Sequence, residues 1–207
     1  MMPHVVPEPL LHSVELAELR PTQMTVGLIE VARKRHEWSV RADRDRPDFL
    51  GRHMIPVVIG PKGRRWMVDH HHLARALHDE GVIHVLVSVV ADLGHLTPSA
   101  FLTYMDNRNW LHPFDGKGRR QDYDALPKHI GKLTDDPYRS LAGELRRAGG
   151  YAKVDILYSE FLWANFLRQR IKPSRLAEGF QACLGKALTL ARSRDAAHLP
   201  GWAGSVE

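Results

Sequence analysis

Residues 55–90 constrain the fold more than any other part of this 207-residue chain. An apolar, β-branched run, Ile55-Pro56-Val57-Val58-Ile59, meets the turn Gly60-Pro61-Lys62-Gly63, and a second short strand runs from Arg65 to Val68. Gly and Pro at those places are turn chemistry, so the two strands form a hairpin. Asp69-His70-His71-His72 follows at once. Leu73, Ala76 and Leu77 then recur at the i, i+3, i+4 spacing of a helix that Gly81 stops. Ile83 to Val90 reads as a buried strand. Hairpin, helix and strand in this order predict an α/β (α+β) fold with a small mixed sheet.

The flanks extend the pattern. Residues 14–20 alternate apolar and polar as a half-buried strand does, and Pro21-Thr22-Gln23 breaks the run. Thr25 is expected to cap a helix ending near Trp38, followed by a charged link over 41–47 and a short turn at Phe49-Leu50-Gly51. From Pro98 onward helices are expected over 99–107, 123–130, 137–148, 159–171 and 174–194. The chain divides, on this reading, into a core over 1–97 and a helical C-terminal part over 98–207 packed on it.

Composition excludes several classes. With 43% hydrophobic and 26% charged residues the chain is of the globular type. A lone cysteine, Cys183, rules out an internal disulfide and any multi-cysteine zinc site, and fits a reducing cytoplasm. Met1 to Leu11 shows no basic-then-apolar leader. The longest apolar stretch, Val82 to Leu93, is interrupted by His84, Ser88 and Asp92, so no membrane span is expected. Net charge is +5, with basic residues crowded over 33–46 and 168–194. Such crowding permits phosphate or DNA binding, although Asp43, Asp45 and Asp48 interleave the first cluster.

Asp69-His70-His71-His72 is the candidate reactive centre. Consecutive helical residues are splayed by about 100°, so the three imidazoles cannot converge on one ion, and helical zinc motifs use i, i+4 spacing instead. A strand ending at a helix start does, however, present unpaired amides and a positive dipole end, which suits an anion. Arg75 adds fixed charge one turn in. Asp69 is either a structural cap or a Mg²⁺ ligand. Arg20 and Gln23 precede the first helix as candidate anion binders, and Glu30 lies on that helix with Lys34 one turn on. Asp136 is expected as the cap of the helix carrying Arg139 and Ser140, while Lys153, Tyr158 and Glu160 are placed to face a cleft between the two parts.

The run from Ile55 through Asp69-His70-His71-His72-Leu73-Ala74-Arg75 to Gly81 resembles the core of the ParB/sulfiredoxin superfamily. Leu19 to Gly27, Asp136 to Ala142 and Ser159 to Ala164 extend the resemblance to the branch called putative ParB-like nucleases. Superfamily members bind nucleotide phosphates at this helix start, which implies a nucleotide with Mg²⁺ as the ligand set and a homodimer as the assembly. Asp69, His71 and His72 match the Asp-x-His-His of the kinase-like relatives, and Glu30 is the nearest match by position to their general base. Two positions depart: His70 stands where the motif has glycine, and Leu73 where it has arginine. No counterpart of the sulfiredoxin cysteine is present.

The expected function is an enzyme binding a phosphorylated small molecule or nucleotide at Asp69–His72, with phosphoryl transfer or phosphate-ester hydrolysis as its chemistry. His71, His72 and Glu30 are the catalytic candidates, Arg20, Gln23, His70, Arg75 and Arg139 the substrate binders, and Asp69 the metal ligand. A DNA-binding or nuclease protein is the first alternative. A small-molecule enzyme using His/Glu acid–base chemistry without phosphate is the second.

Overall fold

The computed structural model describes residues 12–204. The strands are β1 (His12–Glu15), β2 (Arg20–Pro21), β3 (Thr25–Val26), β4 (Ile55–Ile59), β5 (Arg65–Met67), β6 (His84–Asp92) and β7 (Thr134–Asp135). The helices are α1 (Leu28–Ser39), α2 (Arg46–Arg52), α3 (His71–Asp79), α4 (Pro98–Asn107), α5 (Pro137–Arg147), α6 (Ser159–Arg168), α7 (Pro173–Glu178) and α8 (Phe180–Ala191).

The expected hairpin lies inside a mixed five-stranded sheet ordered β1-β6-β4-β5-β2. β4 pairs antiparallel with β5 and parallel with β6, the latter with a register shift between Val57 and Val58. Because successive strand residues face opposite sides, Val57 enters one apolar cluster and Val58 another. On the Val57 side α1 and α3 bury Val31, Trp38, Leu73, Ala74 and Leu77. On the Val58 side α4 contributes Phe101 and Met105. Each fully buried side chain of this size contributes roughly 1.5–3 kcal/mol. A third cluster, built from α5, α6 and α8 around Trp163, holds the helical C-terminal elements together. No helix among the described residues is long and apolar enough to cross a membrane. Met1 to Leu11, where no leader is expected, lie outside the described residues.

Several local expectations are corrected. The alternating run 14–20 is not one strand: a 3-10 turn at Leu16–Glu18 separates β1 from β2. Leu16 and Leu19, three residues apart, are both buried, which a period-two strand cannot achieve. Pro21 is tolerated in β2 because that strand is the sheet edge. Thr25 does not cap α1; it pairs in β3, parallel with β7, and Gly27 takes the cap position. Phe49 and Leu50 lie on α2 rather than a turn, and Phe49 packs on Trp38 with ring centroids 5.8 Å apart. The helix expected over 123–130 is only two 3-10 turns; Pro127 between them prevents continuation. The long final helix breaks at Gly179 into α7 and α8.

Candidate functional site

The first turns of α1, α3, α5 and α6 meet around one cleft of about 470 Å³. Glu30 comes from α1, His70 to Leu73 from the start of α3, Arg139 from α5, and Ser159 to Phe161 from α6; the segment 153–158 forms a further wall. A helix N-terminus carries partial positive charge, so four of them around one space favour an anion, although the first amides of α1 and α5 already have side-chain acceptors. The approach of α1 to α5 is close. A Cβ on Gly27 would lie 2.8 Å from Ser140 Oγ, so only glycine fits there. Leu28 N–H donates to Asp135 Oδ1 at 3.0 Å and Ile29 N–H to Ser140 Oγ at 3.3 Å. Asp136 caps α5 as expected, accepting from the amides of Tyr138 and Arg139.

At α3 the capping differs from the sequence reading. His70 occupies the cap position with φ 63 and ψ 24, in the left-handed region, and offers no side-chain cap. Asp69 does not cap the helix: its Oδ1 accepts the neighbouring His70 N–H at 2.6 Å. The left-handed conformation explains the glycine in the family motif, since only glycine enters that region without cost. An imidazole held there lets the turn persist while adding a ring to the cleft. His70→Gly is expected to be more stable than His70→Ala by about 1 kcal/mol, because both lose the ring and only alanine keeps the Cβ penalty. Urea midpoints of the two variants check this, and equal midpoints contradict it.

His71 and His72 are buried, and each ring is tied to the loop before α1. Thr22 N–H donates to His71 Nε2 at 3.2 Å, while the Thr22 hydroxyl gives its proton to Met67 O at 2.7 Å. Gly27 N–H donates to His72 Nε2 at 2.9 Å. A ring nitrogen that accepts from an amide carries no proton, so the network places the proton of each ring on Nδ1. Burial, then the charge of His70 and His112, lowers the His71 pKa to about 3. Burial, then Arg139, drives His72 well below its ordinary value. Both rings are therefore neutral N–H donors. Service as general base or phosphate acceptor would require the Thr22 or Gly27 contact to break first.

Glu30 is the carboxylate nearest to His72, with Oε2 3.9 Å from Nε2. Burial pushes the Glu30 carboxyl up, yet the facing positive groups, His72 first and then Arg139, Lys34 and Arg147, pull it below its ordinary value. With His72 neutral, Arg139 is chief among them. Arg139 is buried, reaching Glu30 Oε2 at 3.4 Å with Nη1 and Glu160 with Nη2. Arg146 also binds Glu160, at 2.9 Å. Three polar atoms around the cleft have no partner among the described residues: His70 Nδ1, Tyr158 hydroxyl and Arg139 Nε.

The structure brings Gln23, Glu30, Asp69, His70, His71, His72 and Arg139 to this cleft and leaves two candidates outside it. Arg75 turns along the flank of α3, binding Asp79 at 2.9 Å and Leu133 O at 2.5 Å. Arg20 lines a separate groove. Gln23 is buried and donates to Thr25 O at 2.7 Å, which braces the loop that carries Thr22 and Gly27. His112 was not singled out by the sequence. Its backbone bridges to the Thr22–Gln23 loop, and its ring stacks with Phe114 and Tyr158 and packs tilted on Phe161. Arg146 had a signal: it lies seven residues after Arg139, two turns on along the same helix face.

Among the described residues no three His, Cys, Asp or Glu side chains gather as metal ligands. Asp69, exposed at the cleft rim, fits a looser demand. Mg²⁺ bound with a nucleotide takes one or two carboxylates and otherwise phosphates and waters.

Comparison with known proteins adds two findings. The family model described as "Putative ParB-like nuclease" matches residues 12–169. A solved structure, protein Atu1540 from Agrobacterium tumefaciens, is 52% identical to this chain, with TM-score 0.91, over 98% of this chain and 100% of that one. No curated protein matches.

Proposed function

This chain belongs to the family of ParB-like proteins described as putative nucleases, and from that premise we propose that its cleft binds a phosphate-bearing small molecule or nucleotide and acts on the phosphate group. The reaction is phosphoryl transfer or phosphate-ester hydrolysis. One observation carries the reading: four helix N-termini surround the space, and the α3 start presents neutral imidazoles whose protons lie on Nδ1. Donors of that kind stabilise an oxyanion without giving up a proton.

In this reading His70, His71 and His72 bind phosphate oxygens, and Arg139 supplies fixed charge. Asp69 is the carboxylate placed to hold Mg²⁺, which when bound neutralises phosphate charge. Glu30 takes the proton of the attacking hydroxyl or water. An anion that engages Arg139 weakens its hold on Glu30 and lifts the carboxyl toward the range useful to a base.

Calorimetric titration of the full chain with ATP, ADP and inorganic phosphate, each with and without Mg²⁺, tests binding. Affinity in the range of roughly 1 µM–1 mM is expected for at least one. Turnover, followed by phosphorus NMR, is expected to fall about 10²–10⁴-fold in Glu30→Gln with binding retained. Absence of heat with all three ligands overturns the reading. The family description favours a second version, in which the phosphate ester belongs to a nucleic-acid strand. Release of nucleotides from a labelled oligonucleotide, lost in Glu30→Gln, is its mark.

A further inference from the structure

Arg20, displaced from the cleft, stands in a separate groove of about 320 Å³ at the β2 edge of the sheet. Lys62 and Arg64 from the hairpin turn and Lys128 line the same groove, against a single carboxylate, Asp124. Among the described residues none of these four cations forms an ion pair. Arg20 and Arg64 repel one another: burial, then the charge of Arg64, lowers the Arg20 pKa. Like charges gathered without a counter-charge cost stability, and an anion relieves that cost.

The remaining wall is aromatic and apolar. Trp66, Phe101 and Tyr123 face the groove with Pro61, Pro98 and Leu102. Trp66 and Phe101 pack tilted, with centroids 5.5 Å apart, and the Tyr123 hydroxyl is fixed by Asp106 at 2.6 Å. The Trp66 indole N–H is buried without an acceptor. Cations beside aromatic faces are the elements that hold a base and its phosphate together. The volume suits one small molecule.

We propose that this groove is a second binding site, for a nucleoside-phosphate unit, with Arg20, Lys62, Arg64 and Lys128 around the phosphate and Trp66 and Tyr123 against the base. The unit comes either from a free nucleotide or from a nucleotide of a single strand. It is distinct from the α3 cleft and does not depend on the reaction there.

The test titrates the full chain with AMP, a labelled oligothymidylate and inorganic phosphate, beside the double variant Lys62→Glu/Arg64→Glu. Both positions are exposed, so folding is expected to persist, as circular dichroism will check. AMP or the oligonucleotide is expected to bind more tightly than phosphate and to weaken about tenfold or more in the double variant, with a shallower salt dependence. Loss of AMP binding identifies a free-nucleotide site, and loss of oligonucleotide binding a strand groove. Three results overturn the assignment: no binding of either probe, AMP no tighter than phosphate, or unchanged binding in the double variant. In the last case AMP occupies the α3 cleft, and the proposal for that cleft stands while this one falls.

Discussion

Lowering the pH from 7 to 5 is expected to remove about 2 kcal/mol of stability for each of His71, His72 and His112. All three rings are buried, and burial lowers each pKa in the folded state, to about 3 for His71 and about 4 for His112. The unfolded chain takes up their protons near pH 6.5. Their contribution is therefore fully present above pH 6.5 and is lost as pH falls toward the folded values. The three together remove about 6 kcal/mol, so a domain at the low end of the ordinary range of about 5–15 kcal/mol has little left by pH 5. Urea midpoints measured between pH 7.5 and 5 follow the loss. His112→Phe, which keeps an aromatic ring against Phe114, Tyr158 and Phe161, should reduce the steepness by about a third. A midpoint that does not move with pH would contradict the neutral, buried state of these rings and the donor role built on it.

Arg139→Met is expected to cost about 3–5 kcal/mol, because it strands the partly buried Glu30 carboxylate and leaves Glu160 with Arg146 alone. The penalty belongs to the uncompensated charges more than to the lost contacts. Adding Glu30→Gln and Glu160→Gln to Arg139→Met should then recover much of it. Denaturant unfolding of the single and triple variants separates the two causes; a triple variant no better than the single one would assign the loss to packing over Phe161, which the guanidinium covers at 5.5 Å. Glu30 also has a pH signature of its own. Its folded pKa lies below the usual carboxylate value, so its share is present above about pH 4.5 and lost as pH falls through the lower folded value.

The sequence located the α3 start and much of its surroundings through local signals. Turn residues announced the hairpin, apolar spacing announced α3, and Pro137 after Asp136 announced α5. What it could not supply was direction. Arg75 is near His71 and His72 in sequence, yet its position on the helix turns it to Leu133. Arg20 precedes the site loop, yet β2 pairing beside Trp66 delivers it to the other groove. The histidines looked reactive because imidazoles titrate near neutrality. Only the amides of Thr22 and Gly27, brought by a distant loop, reveal that their Nε2 lone pairs are already used. His112 had no local pattern at all, since its place depends on a bridge to Gln23.

β3 and β7 set the order in which such a chain can be completed during synthesis. Thr25–Val26 emerges early but finds its partner, Thr134–Asp135, only after the whole sheet and α4 have been made. Until then Leu28 N–H and Ile29 N–H lack Asp135 and Ser140. Pairings so distant in sequence are slow, because loop closure precedes any gain from the contact. The sheet and α3 can condense on the ribosome while the α3 cleft stays open-sided. That cleft is thus a late product of translation, finished only when the segment through α6 has been released.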